Sequence, residues 1–177
     1  MAGKVLKITV FALICLIVAA CSADKAESDP ETRIVREFFE ARVSGNADAA
    51  YGMLSESTKR LYSDAQFKEY CFIYKVVEFE TSAGKDGYIP VKYTFYDKKY
   101  KKESTELYTY YITDNIENLR VENGKILFPH VGFIALRQAI EARDTGKAEA
   151  AVKSMRDLDT ENPDVRDTID KMGFNVR

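Results

Sequence analysis

The chain has 177 residues, with 26 Lys and Arg against 28 Asp and Glu, a formal charge of −2, one His, three Cys and no Trp. A chain without basic excess is a poor nucleic-acid binder, so nucleic acid is not expected as a partner. With a single histidine and three scattered cysteines, neither a metal site nor a bound cofactor is expected.

Met1–Lys7 carries Lys4 and Lys7, and Ile8–Ala20 is apolar apart from Thr9. A basic start followed by a short apolar run is the pattern of an export signal, too short to span a bilayer comfortably. The run ends in Val18-Ala19-Ala20-Cys21-Ser22. This resembles the lipobox of bacterial lipoproteins. The resemblance implies a signal peptide over 1–20, cleavage before Cys21 and a thioether from Cys21 to diacylglycerol. Each buried methylene contributes about 0.8 kcal/mol, so two or three acyl chains make a permanent anchor. Ser22 in place of Asp implies the outer membrane, with the protein on its periplasmic face, over inner-membrane retention. Cys71 is then left alone in the mature chain and cannot form an internal disulfide. Between Tyr70 and Phe72 it reads as a buried, inert thiol.

Residues 21–32 are polar and acidic and read as a tether. From Arg33, Ile34, Val35, Phe38, Phe39 and Ala41 share a helical face, and Ser44-Gly45 ends that helix. A second helix is expected over Ala47–Leu54. Ser55 caps a third that carries Leu61 and Tyr62, and Ser63 with Gln66 forms a capping box for a fourth, burying Phe67 and Tyr70.

The period then changes to two. Strands are expected over Phe72–Thr81, over Tyr88–Asp97 with Ile89, Val91, Tyr93 and Phe95 on one face, over Ser104–Thr113, and around Asn123-Gly124, a type I′ hairpin signal. Pro90 predicts an edge position. Lys98–Lys102 is a turn. Its lysines, around Tyr100, suit anionic headgroups, but Asp97, Glu103 and Glu106 cancel much of that field. From Gly132 the chain returns to helix, with a stripe of Phe133, Leu136, Ala139 and Ile140. Gly146 is expected to break it. A second stripe (Ala148, Ala151, Val152, Met155) and a short last helix with Val165, Ile169 and Met172 follow.

Helices, an antiparallel meander and more helices make an α+β protein. The opening helices, with Ala50-Tyr51-Gly52-Met53-Leu54-Ser55, and the later Val121-Glu122-Asn123-Gly124-Lys125 resemble the nuclear-transport-factor-2-like superfamily. That resemblance implies N-terminal helices packed on a curved antiparallel sheet over 33–131, with 132–177 as a C-terminal helical extension. It also implies a cone between helices and sheet, where some members perform acid–base chemistry. Ala142–Ala151 closely echoes Ala41–Ala50. Both stretches read as a helix ending at Gly followed by a small-residue helix start, similar by convergence. The second copy also resembles half of a tetratricopeptide repeat, one unit of which makes no solenoid.

The cone's candidate pocket residues are Tyr70, Tyr74, Tyr93, Tyr108 and Tyr111. Glu78 and Glu80 alternate with Val77 and Phe79 and so point away from it. His130 follows the last strand, and is expected at the surface or at a junction. The cone is therefore either a filled aromatic core or a hydroxyl-walled pocket. No phosphate-binding, nucleophile-elbow or zinc-protease motif is present. The expected function is a non-catalytic binding or envelope-assembly module, partnered by the bilayer through Cys21 and by a protein docked on the sheet or the C-terminal helices. The alternative is a small-ligand pocket protein, or an enzyme, using the tyrosine-rich cone. Phe133 and Leu136 are expected to dock the C-terminal helices onto the rest.

Overall fold

Asp29 shows how the fold starts. Its carboxylate accepts from the backbone N–H groups of Glu31 and Thr32 and from the Thr32 hydroxyl, and Pro30 occupies the first helical position. Both are strong N-terminal signals. The first helix therefore begins three residues before Arg33, and the last residues assigned to the tether are its cap and first turn. The computed structural model describes the backbone of residues 29–100 and 107–172 and the side chains of 29–96 and 115–172.

The elements are α1 (Pro30–Val43), α2 (Ala47–Gly52), α3 (Glu56–Leu61), α4 (Asp64–Ile73), β1 (Tyr74–Thr81), β2 (Ile89–Tyr100), β3 (Leu107–Glu122) and β4 (Lys125–Leu127). A 3-10 turn (Pro129–Val131), α5 (Gly132–Glu141), α6 (Thr145–Leu158) and α7 (Pro163–Met172) complete the chain. The fold is α+β, with a four-stranded antiparallel sheet in the order β1-β2-β3-β4. Local signals place their elements where expected. Ser63 and Gln66 form both halves of a capping box, and Ser55 caps α3. Asn123 and Gly124 both have positive φ, at 52° and 73°, as a type I′ turn requires.

The strands depart from the sequence pattern where pairing decides. Phe72 and Ile73 belong to α4, not to β1. A bulge between Val76 and Glu78 switches the inward parity of β1 from Val76 to Phe79, leaving Val77 facing out. Ser104–Thr113 and the run before Asn123 do not form two strands. β3 crosses both, with a second irregularity opposite Tyr93 and Phe95. Pro90 sits on the interior strand β2. It is tolerated there because its carbonyl, accepting from Ser82 N at 3.0 Å, faces the β1 side beyond the last β1–β2 pair. The missing N–H points the same way and removes no bond to β3.

The two similar stretches are not structurally equivalent. Gly45, at φ 75°, closes α1, with Gly45 N bonded to Arg42 O and Asn46 N to Ala41 O. The same pair of bonds closes α5, but through Arg143 at φ 54°; Gly146 lies inside α6. The expected Gly stop in the second copy is therefore wrong, because a non-glycine residue takes the left-handed position three residues earlier. A shared corner built on different residues is convergence.

Two hydrophobic clusters form. One joins α1, α2, α4 and the sheet around Phe38, Phe39, Phe67 and Phe128; the other packs α5, α6 and α7 around Leu136, Val152, Met155 and Val165. Ile134 and Val131, rather than Phe133 and Leu136, carry the C-terminal helices into the first cluster. Phe133 is half-buried and Leu136 belongs to the second cluster. Leu158 adds to that contact, and polar bonds complete the seam. Tyr88 Oη donates to Asp159 at 2.8 Å, and Asn118 N and Nδ2 both donate to Asp164 at 2.7 Å.

A buried Arg–Glu pair beside a candidate ligand cavity

Arg42 continues the buried stripe of α1: Val35, Phe38, Phe39 and Arg42 recur at helical spacing. Glu117 continues the inward face of β3, two residues before Leu119 and four before Val121. Each charge thus sits where its element points into the core. They meet at 2.8 Å, Arg42 Nη1 to Glu117 Oε2, with side chains 1 % and 2 % exposed. Tyr70 of α4 and Tyr93 of β2 donate their hydroxyls to Glu117 Oε1 at 2.6 Å each, and Asn115 Nδ2 donates to Tyr93 Oη at 2.8 Å.

The guanidinium is held in an aromatic cage. Its carbon lies 4.6 Å from the Phe39 ring centre and 5.4–5.6 Å from those of Phe38, Tyr70, Tyr93 and Phe128. Nε and Nη2 have no hydrogen-bond acceptor among the described residues, and the negative ring faces around the guanidinium carbon compensate its charge instead. Burial alone would raise the Glu117 pKa. Arg42, His130 and the two tyrosine hydroxyls outweigh it, and the carboxyl is held below its ordinary value. Burial, together with the Glu117 charge, pushes the Tyr70 and Tyr93 hydroxyls far up, which keeps them protonated as donors. This carboxylate is a weak base. General-base work needs a pKa near the operating pH.

Beside the pair lies a cavity of about 280 Å³, walled by Tyr70, Tyr74, Tyr93, Phe95 and Phe133, with Asn115, Ile116, Glu117, His130, Asp164, Asp167 and Thr168 completing it. It opens between β2, β3 and the C-terminal helix α7. His130 is 2 % exposed, its ring between Phe128 and Phe133. Its Nε2 sits 2.8 Å from Asp164 Oδ2, and its Nδ1 is buried with no partner among the described residues. Burial raises the Asp164 pKa, but the His130 bond and the two Asn118 donors lower it further, so the net shift is down.

Three of the sequence-selected tyrosines, Tyr70, Tyr74 and Tyr93, come together on the cavity wall. Tyr108 and Tyr111 stand on β3 opposite Lys99 and Tyr96, and their side chains lie outside the described residues. Cys21 lies outside them too. Lys98–Tyr100 are not the expected turn: they extend β2, paired with Thr109, Tyr108 and Leu107 of β3, and Lys101 and Lys102 lie outside the described residues. Glu78 and Glu80 are exposed on the outer face. His130 is a junction residue, but a buried one that also lines the cavity. Cys71 is largely buried, and burial pushes its thiol up to about 11. Sequence reasoning missed Glu117 and Arg42. The signal was a charge on each apolar stripe, at the seventh residue after Val35 and on the parity of Leu119 and Val121.

Among the described residues no cluster of His, Cys, Asp and Glu has the makings of a metal site, and no helix is long and apolar enough to cross a membrane. No protein-family model matches the chain, and no curated protein matches it significantly.

Proposed function

We propose that the protein is a bacterial lipoprotein, held through acyl chains on Cys21 and facing the periplasm from the outer membrane. Its nuclear-transport-factor-2-like domain serves as a non-catalytic binding module. The Val18–Ser22 lipobox pattern supports the anchor. The order of helices, antiparallel meander and helices supports the domain. The observation that carries the non-catalytic reading is the Arg42–Glu117 pair. The carboxylate that β3 carries into the core is ion-paired, doubly hydrogen-bonded and held ionised. It is a structural anion, and what the cone leaves over is the cavity beside it. That cavity is small, near the lower bound of about 300 Å³ for ligand pockets, and suits a small molecule.

Mass spectrometry of protein extracted from envelopes tests both halves. Under denaturing conditions the wild type should carry the mass of a lipidated Cys21, and Cys21→Ala should not. Under native conditions the wild type should retain a small-molecule adduct, and Phe133→Trp, which fills the cavity, should lose it. Identical lipid-free masses for wild type and Cys21→Ala would remove the anchor. An adduct-free wild type, with crosslinks from the sheet or the C-terminal helices to another envelope protein, would replace the pocket by a docking module.

A further inference from the structure

We infer that the outer edge of β3 over Leu107–Tyr111 is a self-association site, on which a second copy of this chain lays the same strand antiparallel. β3 runs for 16 residues, and only one end of its outer edge is used. Pro90 turns its carbonyl to Ser82 on the β1 side, so its β3 partner Asn118 turns its own backbone groups outward. Both are taken there: Asn118 N donates to Asp164, and Asn118 O accepts from Asn162 Nδ2 at 2.9 Å. β4 takes the same edge at Arg120–Glu122. From Leu107 to Glu117 no strand pairs with it among the described residues.

The alternation along β2 fixes which groups of this free stretch face out. The two sheet irregularities add a residue to β1 at Val77 and to β3 between Ile112 and Asn115, and leave β2 regular. Tyr96, Lys98 and Tyr100 are therefore in step with Pro90 and turn their backbone groups to the β1 side. Their β3 partners Tyr111, Thr109 and Leu107 turn theirs outward. From Lys98 onward β2 also runs past β1, whose last pair is Tyr74 with Asp97. β2 and β3 form a two-stranded ribbon there, and such a ribbon alone is marginally stable in water.

The stretch Leu107–Thr113 has no charge, Gly or Pro, and most of its residues are aromatic or β-branched strand formers. The other open edge strand, β1, carries Lys75, Glu78, Glu80 and a bulge, which deter edge-to-edge pairing. β3 has no such guard before the irregularity that follows Ile112. Its own copy fits it. Centred on Thr109, two antiparallel strands set Thr109 opposite Thr109, Tyr108 opposite Tyr110 and Leu107 opposite Tyr111. The outward groups of Leu107, Thr109 and Tyr111 then exchange their hydrogen bonds, and no like charges are opposed. Centring further along the strand runs into the irregularity. Lys98 and Lys99 stand one strand back, so the lysines of the two copies are about 14 Å apart across three strand spacings, beyond the screening length of about 8 Å. Each ribbon becomes part of a four-stranded sheet, closed by a two-fold axis.

Sedimentation equilibrium of the full-length protein, purified in detergent, tests this. Wild type should show a monomer–dimer equilibrium. Thr109→Lys and Thr109→Asp each place like charges across the two-fold axis and should raise the dissociation constant about fivefold, with far-ultraviolet circular dichroism unchanged. Their equimolar mixture sets Lys opposite Asp and should dimerise at least as tightly as wild type. A wild type that stays monomeric overturns the proposal, even where another protein's strand takes the edge. A dimer that neither variant weakens forms elsewhere and overturns it too. So does a mixture as weak as its components, because Thr109 then does not face Thr109.

Discussion

Arg42 of α1 and Glu117 of β3 meet at 2.8 Å inside the core with almost no solvent contact. Removing one partner strands a charge in a shell of aromatic rings, so Glu117→Gln and Arg42→Met should each cost about 3–5 kcal/mol. The double variant Arg42→Met/Glu117→Leu should be much less damaging than the sum, since no charge is stranded. Its remaining cost comes from the Tyr70 and Tyr93 hydroxyls, each left without its acceptor, about 1–3 kcal/mol apiece. Urea unfolding of the four-protein cycle measures this. Additive single and double variants would show that the pair is not coupled.

Acid should find the same weakness. Glu117 and Asp164 have folded pKa values below their ordinary ones. Each therefore adds stability that is complete above the ordinary carboxylate pKa, about 4, and is lost as pH falls through the lower folded value. The urea midpoint should hold steady down to about pH 5 and drop steeply below pH 4. Glu117→Gln, already less stable at neutral pH, should show a shallower drop. An equally steep acid limb in that variant would assign the loss to other carboxylates.

At the alkaline end the sign reverses. Burial raises Tyr62, Tyr70 and Tyr93 well above 10 and pushes Tyr88, bonded to Asp159, up to about 12. Their protonated forms support the fold below pH 10, and that support is lost as pH climbs through the higher folded values. Absorbance titration of tyrosinate should show an early group near pH 10 and a late group that ionises together with unfolding. A single transition of all 11 tyrosines near pH 10, with the fold intact, would contradict the buried network.

What the sequence reveals here follows the range of the interaction. The Ser63–Gln66 capping box and the Asn123-Gly124 turn are settled within four residues, so residue types alone announce them. The bulge at Val77 depends on how β1 registers against β2, and Pro90 is tolerated because of where β1 ends; neither is local. The centre of the site lies between these cases. Arg42 and Glu117 break the apolar rule at positions the periodicity marks as buried, so each was legible as an anomaly. That they answer one another needs the fold, because they stand 75 positions apart in the chain and only the packing of α1 against the sheet brings them together.

Gly132 probes how tightly the C-terminal helices dock. A Cβ there would overlap Met155 Cγ and stand 2.7 Å from Tyr62 Oη, so α5, α6 and the end of α3 meet where a hydrogen replaces a methyl group. Gly132→Ala should overpack this point at about 1–3 kcal/mol despite the better helix propensity of Ala. Met155→Ala added to it should recover part of the loss, less the cavity it opens. A Gly132→Ala protein as stable as wild type would mean that the junction yields.

The same seam ranks two apolar neighbours against the stripe pattern. Ile134 is 8 % exposed and packs into the core of the helix–sheet unit, whereas Phe133 is half-buried at the cavity. Ile134→Ala should therefore cost about 2–5 kcal/mol, the range for a buried large-to-small change. Phe133→Ala should cost less, despite losing the larger side chain, because much of its ring already faces the cavity and its removal strips fewer contacts. Paired urea melts test the order. If Phe133→Ala is the more destabilising, Phe133 anchors the seam and the cavity beside it is closed in solution.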